Sequence, residues 1–397
     1  MGEFASGARV ALARRAERSI DVRAHHIHRN VAGRALLREL RDAAPRGVRV
    51  RVRVRLLVDD YHVGAIEPLL FDLAAHAHVQ VWLFNPLPLR SGPPIVRLLL
   101  SPGEFERHNH GVHNKRFVAD NAMAVFGGRN IADEYFMGHA EADFIDLDVI
   151  AASAVVQDLS RVFDRYWNSD AAWPLHAVQG QPGTDEAAAR QRLDAVVRHA
   201  APAGATDRTD PVGQTSIEEQ LQQGRLALLH ASAQVFADAP EKAITAEPLS
   251  GPSAAMSLPG RPKGEYRSAQ RVASLMSRLL GVIASAWQAV QVVWPYFVPG
   301  SVGMPMMTAA ARAGVRTVLH TNSGTTDEPL VHHRYSRYSR YSVEMLRLGA
   351  ENHESSPGAV RQSLSFGSFG ASTPQLHAKV AVVDQRYLLV NSVNLDG

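Results

Sequence analysis

The sequence contains no cysteine, which excludes a disulfide framework, a thiol nucleophile and a cysteine-based zinc site. It is nearly as poor in lysine: of 42 basic residues only Lys115, Lys242, Lys263 and Lys379 are lysines, so each departs from a strong arginine bias. Long apolar segments are scarce as well. The N-terminal stretch MGEFASGARVALARRAERSIDV lacks the apolar centre of a signal peptide and reads as a helix leading into a strand. The long uncharged stretch from Leu279 to Gly300 could span a bilayer by length, but it carries Gln288, Gln291, Pro295 and Pro299. It divides instead into a helix end and a buried strand, and no transmembrane helix is expected. A strong charge is missing too. A net charge of +3 is small for a dedicated nucleic-acid binder and fits an anionic substrate or a membrane surface.

What the chain does have is length, a core and a duplication. Its 397 residues, 46% of them hydrophobic, suffice for one large or two ordinary domains. Three signals occur in order and then recur. An amphipathic helix enters a strand in RVALARRAERSIDVRAHHI and again in VASLMSRLLGVIASAWQAVQVVWPYF. A helix, a glycine and a strand follow in LLRELRDAAPRGVRVRVRVRLLVDD and in MMTAAARAGVRTVLHTNS, the glycine suiting a helix C-terminal cap. Last come VHNKRFVADNAMAVFGGRN and LHAKVAVVDQRYLLVNSVN. Strands alternating with helices indicate α/β layers, and an ordered triple repeat indicates two similar halves. We place them at residues 1–170 and 265–397. The Ala-, Gln-, Pro- and Gly-rich stretch 171–264 reads as a linker with short helices.

The last repeated signal carries the chemistry. On a strand, His113 and Lys115 share one face, and so do His377 and Lys379. Both copies read HxKxxxxD, ending at Asp120 and Asp384, and Asp120 with Asn121 forms a plausible turn before the strand returns. A lone strand histidine is usually structural, but two copies at equivalent places, holding two of the four lysines, outweigh that reading. Cleaving a phosphodiester needs an attacking group, a proton donor for the leaving oxygen and positive charge around phosphate. Two histidines and two lysines supply all three.

The repeated HxKxxxxD with GGRN and NSVN downstream resembles the phospholipase D superfamily. The segments RAERSIDV, LFNP, VHNKRFVADNAMAVFGGRNIADEYF, DLDV, PYFVP, TNS and VNLDG resemble its bacterial cardiolipin synthase C-like branch. The resemblance implies a phospholipase D fold: two α/β/α halves related by a pseudo-twofold axis, with the active site at their interface. It implies a catalytic set of His113, Lys115, Asp120, His377, Lys379 and Asp384, working without metal or cofactor through a phosphohistidine. His113 would be the nucleophile and His377 the acid and base, although near-symmetry allows the reverse. Asn130 and Asn394 match asparagines that bind phosphate. Asp146 matches an acid that orients the first histidine, fixing its tautomer and raising its pKa.

The implied activity is phosphatidyl transfer to an alcohol, as in cardiolipin synthesis. Hydrolysis of phospholipid to phosphatidic acid and phosphodiesterase or nuclease activity are its alternatives. The implied partner is phospholipid, with peripheral contact at a bacterial cytoplasmic membrane rather than nucleic acid. Oligomeric state is not implied. Two departures stand out. Asn391 replaces a glycine, which predicts backbone strain. The chain also stops at Gly397, where the family continues with a second orienting acid, so His377 is expected to lack a carboxylate and the chain reads as a fragment or an inactive member.

Other motifs receive plainer readings. HNHGVH, with His108, His110 and His113, has the spacing of binuclear metallohydrolases but has Val112 where an aspartate is wanted. In RAHHIHRN, His26 and His28 share a face as polar lining, opposite His25 and Ile27. The alternating RVRVRVR from Arg49 to Arg55 suggests an edge or partly solvated strand, and RYSRYSRYS from Arg334 to Ser342 a surface helix.

Overall fold

The valine- and leucine-rich segments form strands and the segments with apolar stripes form helices in the computed structural model. It describes residues 2–46, 53–60, 63–86, 115–136, 142–179, 185–200, 215–243, 275–323, 329–355 and 373–392. Helix α1 (Gly2–Arg15) runs into β1 (Ser19–Ala24), α2 (Val31–Ala43) precedes β2 (Arg53–Asp59), and α3 (Glu67–Ala74) precedes β3 (Val79–Phe84). The three strands are parallel, with Ile20 beside Val54 and Val54 beside Val79. A hairpin of β4 (Lys115–Ala119) and β5 (Met123–Gly127) joins β1 antiparallel. After β6 (Ala142–Ile145), β7 (Asp148–Ala152) adds to β5, and β8 (Ala172–Pro174) adds to β3. The sheet order is β7-β5-β4-β1-β2-β3-β8.

Its two faces are covered differently. One packs on α1 and α2 through Leu12, Leu37 and Leu40. The other packs on α4 (Ala154–Trp167), whose Val156, Leu159, Phe163, Tyr166 and Trp167 fall at helical spacing against Val118, Ala124, Leu57 and Phe84.

The stretch from residue 171, read as a linker with short helices, does hold short helices, and it also packs into the first half. It supplies β8 to the sheet, then α5 (Leu175–Gln179), α6 (Glu186–Val197) and α7 (Ile217–Gln222). Helix α6 packs on α3 and α2, and α7 packs on α1. Their few apolar residues, Ala189, Leu193, Val197 and Ile217, are placed one helical turn apart or at a helix start, and all are buried in the first core. Overall composition hides that stripe. Residues 201–214 and 244–264 lie outside the described residues.

The second half repeats the first. Helix α8 (Leu275–Ala284) enters β9 (Ala289–Val293), dividing the long uncharged run as expected. Helices α9 (Gly300–Arg312) and α10 (Pro329–Arg347) precede β10 (Arg316–Asn322) and β11 (Glu351–Ser355), both parallel to β9. Gly314, with φ +72, turns the chain out of α9. After β12 (Thr373–Leu376), the hairpin β13 (Val380–Val383) and β14 (Tyr387–Val390) joins β9 as β4 and β5 join β1. The RYS repeat lies in α10 as a helix, with Tyr338 turned into the core. Among the described residues no helix is long and apolar enough to cross a membrane.

Of the edge or partly solvated strand expected of RVRVRVR, the edge placement is corrected. Strand β2 lies between β1 and β3. Arg53 is exposed, but Arg55 is buried, because Asp21 accepts from it at 2.6 and 2.7 Å, Asp164 lies 2.7 Å away and the Phe163 ring stacks beneath it. Residues 49–52 lie outside the described residues.

What joins the halves is a separate two-stranded parallel sheet of β6 and β12, with Phe144 beside Gln375 and Ile145 beside Leu376. The side chain of Asn322, at the end of β10, fastens β12 from the other side. Its Nδ2 donates to the Leu376 carbonyl and its Oδ1 accepts from the Leu376 N–H, both at 2.8 Å.

Candidate active site

The β6–β12 pairing continues past its last residues. The backbone N–H groups of His377 and Ala378 both donate to the Ile145 carbonyl, at 2.8 and 3.0 Å. One residue further along each strand, His377 Nδ1 lies 2.6 Å from Asp146 Oδ2. The expectation that His377 lacks a carboxylate is therefore overturned. Asp146, expected to orient the first histidine, is found on His377: the acid carried by one half meets the histidine of the other, brought beside it by the interstrand sheet.

Two lysines complete the charge pattern. Lys379 Nζ donates to the His377 carbonyl at 2.8 Å and stands 3.4 Å from His377 Nε2. Lys115, at the start of β4, is buried like Lys379. Burial and the ammonium of Lys379 push Lys115 down to about 7, against the pull of Asp146 and Asp59. Burial and Lys379 likewise push the imidazole of His377 down to about 4, outweighing the opposing pull of Asp146. Asp146 is held down to about 2, since His377, Arg129 and Lys379 overcome the cost of its burial. At neutral pH the site holds an ionised aspartate and a neutral imidazole. Nδ1–H donates to Asp146 and the Nε2 lone pair faces Lys379.

Aromatic rings close the imidazole in. Tyr135 meets His377 edge-on at 5.1 Å between centroids, and Phe144 lies at 5.3 Å. Asn130 Nδ2 donates to Tyr135 Oη at 2.9 Å, which brings the expected phosphate-binding asparagine into the same cluster. Burial, chiefly, raises the Tyr135 phenol, so it stays protonated. Tyr135, Phe144 and Asn322 were missed as functional residues. Tyr135 and Asn322 stand inside segments read only for the resemblance or the repeat, Phe144 lies just ahead of DLDV, and nothing in local spacing marks any of them as lying near His377.

The two motif aspartates do not belong to this cluster. Asp120 and Asp384 sit at the far ends of β4 and β13, about 16 Å from the lysines at roughly 3.3 Å per residue. Asp120 accepts from the N–H groups of Glu17, Arg18 and Ser19 at 2.9, 2.7 and 2.8 Å. Asp384 does the same for Trp287, Gln288 and Ala289. Each opens a turn with two left-handed residues, Asp120 and Asn121 or Asp384 and Gln385. Their assignment as catalytic is corrected: they fix the chain entering β1 and β9.

The remaining expectations divide cleanly. His113 and Asn394 lie outside the described residues, as does HNHGVH. Asn391 shows no left-handed backbone, so the predicted strain is absent. The rings of His26 and His28 meet at 3.9 Å, and His25 stands 3.8 Å from Asp59. Among the described residues no group of three or more histidine or acidic side chains is arranged to hold a metal.

Residues 10–167 match the family model described as "Cardiolipin synthase, PLD-like domain". The chain is 32% identical to cardiolipin synthase C of Escherichia coli over 394 residues, covering 99% of this chain and 76% of that protein. It is 26% identical to an uncharacterized protein of Helicobacter pylori over 389 residues, 98% of this chain and 70% of that one. Its fold is similar to the crystal structure of phosphatidylserine synthase from Haemophilus influenzae. The TM-score is 0.55 at 14% identity, over 98% of this chain and 76% of that one. With the duplicated sheets, the interface between them and a near full-length match, this chain belongs to the phospholipase D superfamily, in the branch of bacterial cardiolipin synthase C.

Proposed function

We propose that the protein transfers a phosphatidyl group from one alcohol to another, as in cardiolipin synthesis, through a covalent phosphohistidine at a bacterial membrane surface. The observation that carries this reading is the neutral His377, held through Nδ1 by an aspartate of the other half with two buried lysines around it. Lys115 and Lys379 bind the non-bridging phosphate oxygens, with Asn130 and Asn394 donating hydrogen bonds. His113 attacks phosphorus. The bond to the leaving alcohol breaks, and its oxygen takes a proton from His377. Bound phosphate offsets the lysine charges and so lifts the His377 pKa towards the range where it can act as an acid. His377, now neutral, removes a proton from the acceptor alcohol, whose oxygen displaces His113 from phosphorus.

Labelled phosphatidylglycerol, supplied with and without a second phospholipid or glycerol, tests this. Transfer predicts cardiolipin or exchanged product. Phosphatidic acid alone would replace the reading with hydrolysis, and no turnover of any phosphodiester would remove it. His113→Ala and His377→Ala are each expected to abolish turnover, and activity surviving in either would overturn the two-histidine assignment.

A further inference from the structure

The segment GGRN places an arginine between two glycines and Asn130, and nothing in the proposed reaction uses it. Arg129 is nevertheless one of the most completely satisfied buried side chains near the site. It is 4% exposed, and its planar guanidinium spans two separate pieces of chain. Nε donates to the Tyr135 carbonyl at 3.0 Å and Nη2 to the Asp146 carbonyl at 2.5 Å. Those are the residue whose ring edge packs on His377 and the residue whose carboxylate holds its Nδ1.

The counter-ion is a different aspartate. Asp148 Oδ2 lies 3.5 Å from Arg129 Nη1 and accepts from Arg9 Nη1 of α1 at 2.9 Å. Asp146 therefore does not surrender its carboxylate to the guanidinium and keeps it for the histidine. The two glycines make room for this arrangement. A Cβ at Gly127 would collide with the Asp148 carboxylate, and one at Gly128 with that of Asp146.

We infer that Arg129 is a positioning residue: by gripping the backbone of Tyr135 and Asp146 together, it sets the carboxylate and the aromatic wall against His377 without touching substrate. This rests on the reading that His377 takes part in the reaction. A fork across two carbonyls is a geometry that lysine cannot reproduce, since an ammonium is a point charge. Misplacement of a supporting group by about 1 Å costs up to about a hundredfold in rate.

The test uses the full chain, with nitrogen-15-labelled histidine. The downfield proton shared by His377 Nδ1 and Asp146 is assigned by its loss in His377→Gln, and turnover is followed on phosphatidylglycerol vesicles. In Arg129→Gln we expect that resonance to vanish and kcat to fall roughly ten- to a hundredfold, with KM within about twofold. Arg129→Lys should retain the fold and recover only part of kcat. A folded Arg129→Gln protein that keeps both resonance and kcat overturns the inference. So does failure of both variants to fold, which would make Arg129 purely structural. If the unmodified protein turns over no phosphatidylglycerol, the proposed function fails, while the resonance still decides the role of Arg129.

Discussion

A single imidazole between one carboxylate and two ammonium groups has a pH dependence of definite sign. His377 stays neutral down to about pH 4, so between that value and its ordinary 6.5 the unfolded chain binds a proton that the folded chain does not. Its contribution to stability therefore declines as pH falls through that window. Lys115, pushed down to about 7 from 10.5, acts at the other end. Above pH 7 the free enzyme loses the Lys115 charge that is proposed to bind phosphate, so kcat/KM should decline. Over the same range the contribution of Lys115 to stability rises with pH. A kcat/KM profile recorded beside melting curves checks this pair of opposite trends, and a profile flat from pH 6.5 to 9 would contradict it. The motif aspartates behave differently. Asp120→Ala removes the acceptor for three backbone N–H groups and should cost on the order of 1–3 kcal/mol in a denaturant titration. The folded fraction should retain kcat.

At the scale of strands and turns, the site depends on close approach and backbone mimicry. Gly128→Ala should displace the Asp146 carboxylate and lower kcat by about tenfold or more, with the rest of the fold retained. Asn322→Asp keeps an acceptor for the Leu376 N–H but sets a carboxylate oxygen against the Leu376 carbonyl, so β12 should loosen. Faster hydrogen exchange at Leu376 and His377 is the measurement. The strands, their duplicated order and the hairpin turns were legible in the sequence, because period-two patterning and turn residues act over a few positions. The partner of His377 was not. Asp146 was attached to the first histidine by the family resemblance, and no local pattern shows its place beside His377, because the β6–β12 pairing runs between halves. Arg55 failed for a related reason: its alternating pattern signals solvent until Asp21, Asp164 and Phe163 are seen around it.

For the whole molecule, the halves differ in what they lend each other. The first supplies Asp146, Lys115 and Asn130, and the second supplies His377 and Lys379. Neither holds the described site alone. The contact between His377 and Asp146 closes a separation of 231 residues, with a short two-stranded sheet as its guide. Such closure comes late on a folding route, since local helices and parallel strands form before so long a loop is drawn in. On dilution from denaturant, helical signal should return in a phase distinctly ahead of enzymatic activity, and activity returning in step with the earliest phase would refute that order. Under the proposed reaction, the β6–β12 sheet acts as a maturation checkpoint: a partly folded chain, even with both halves individually formed, stays chemically silent until docking brings Asp146 to His377.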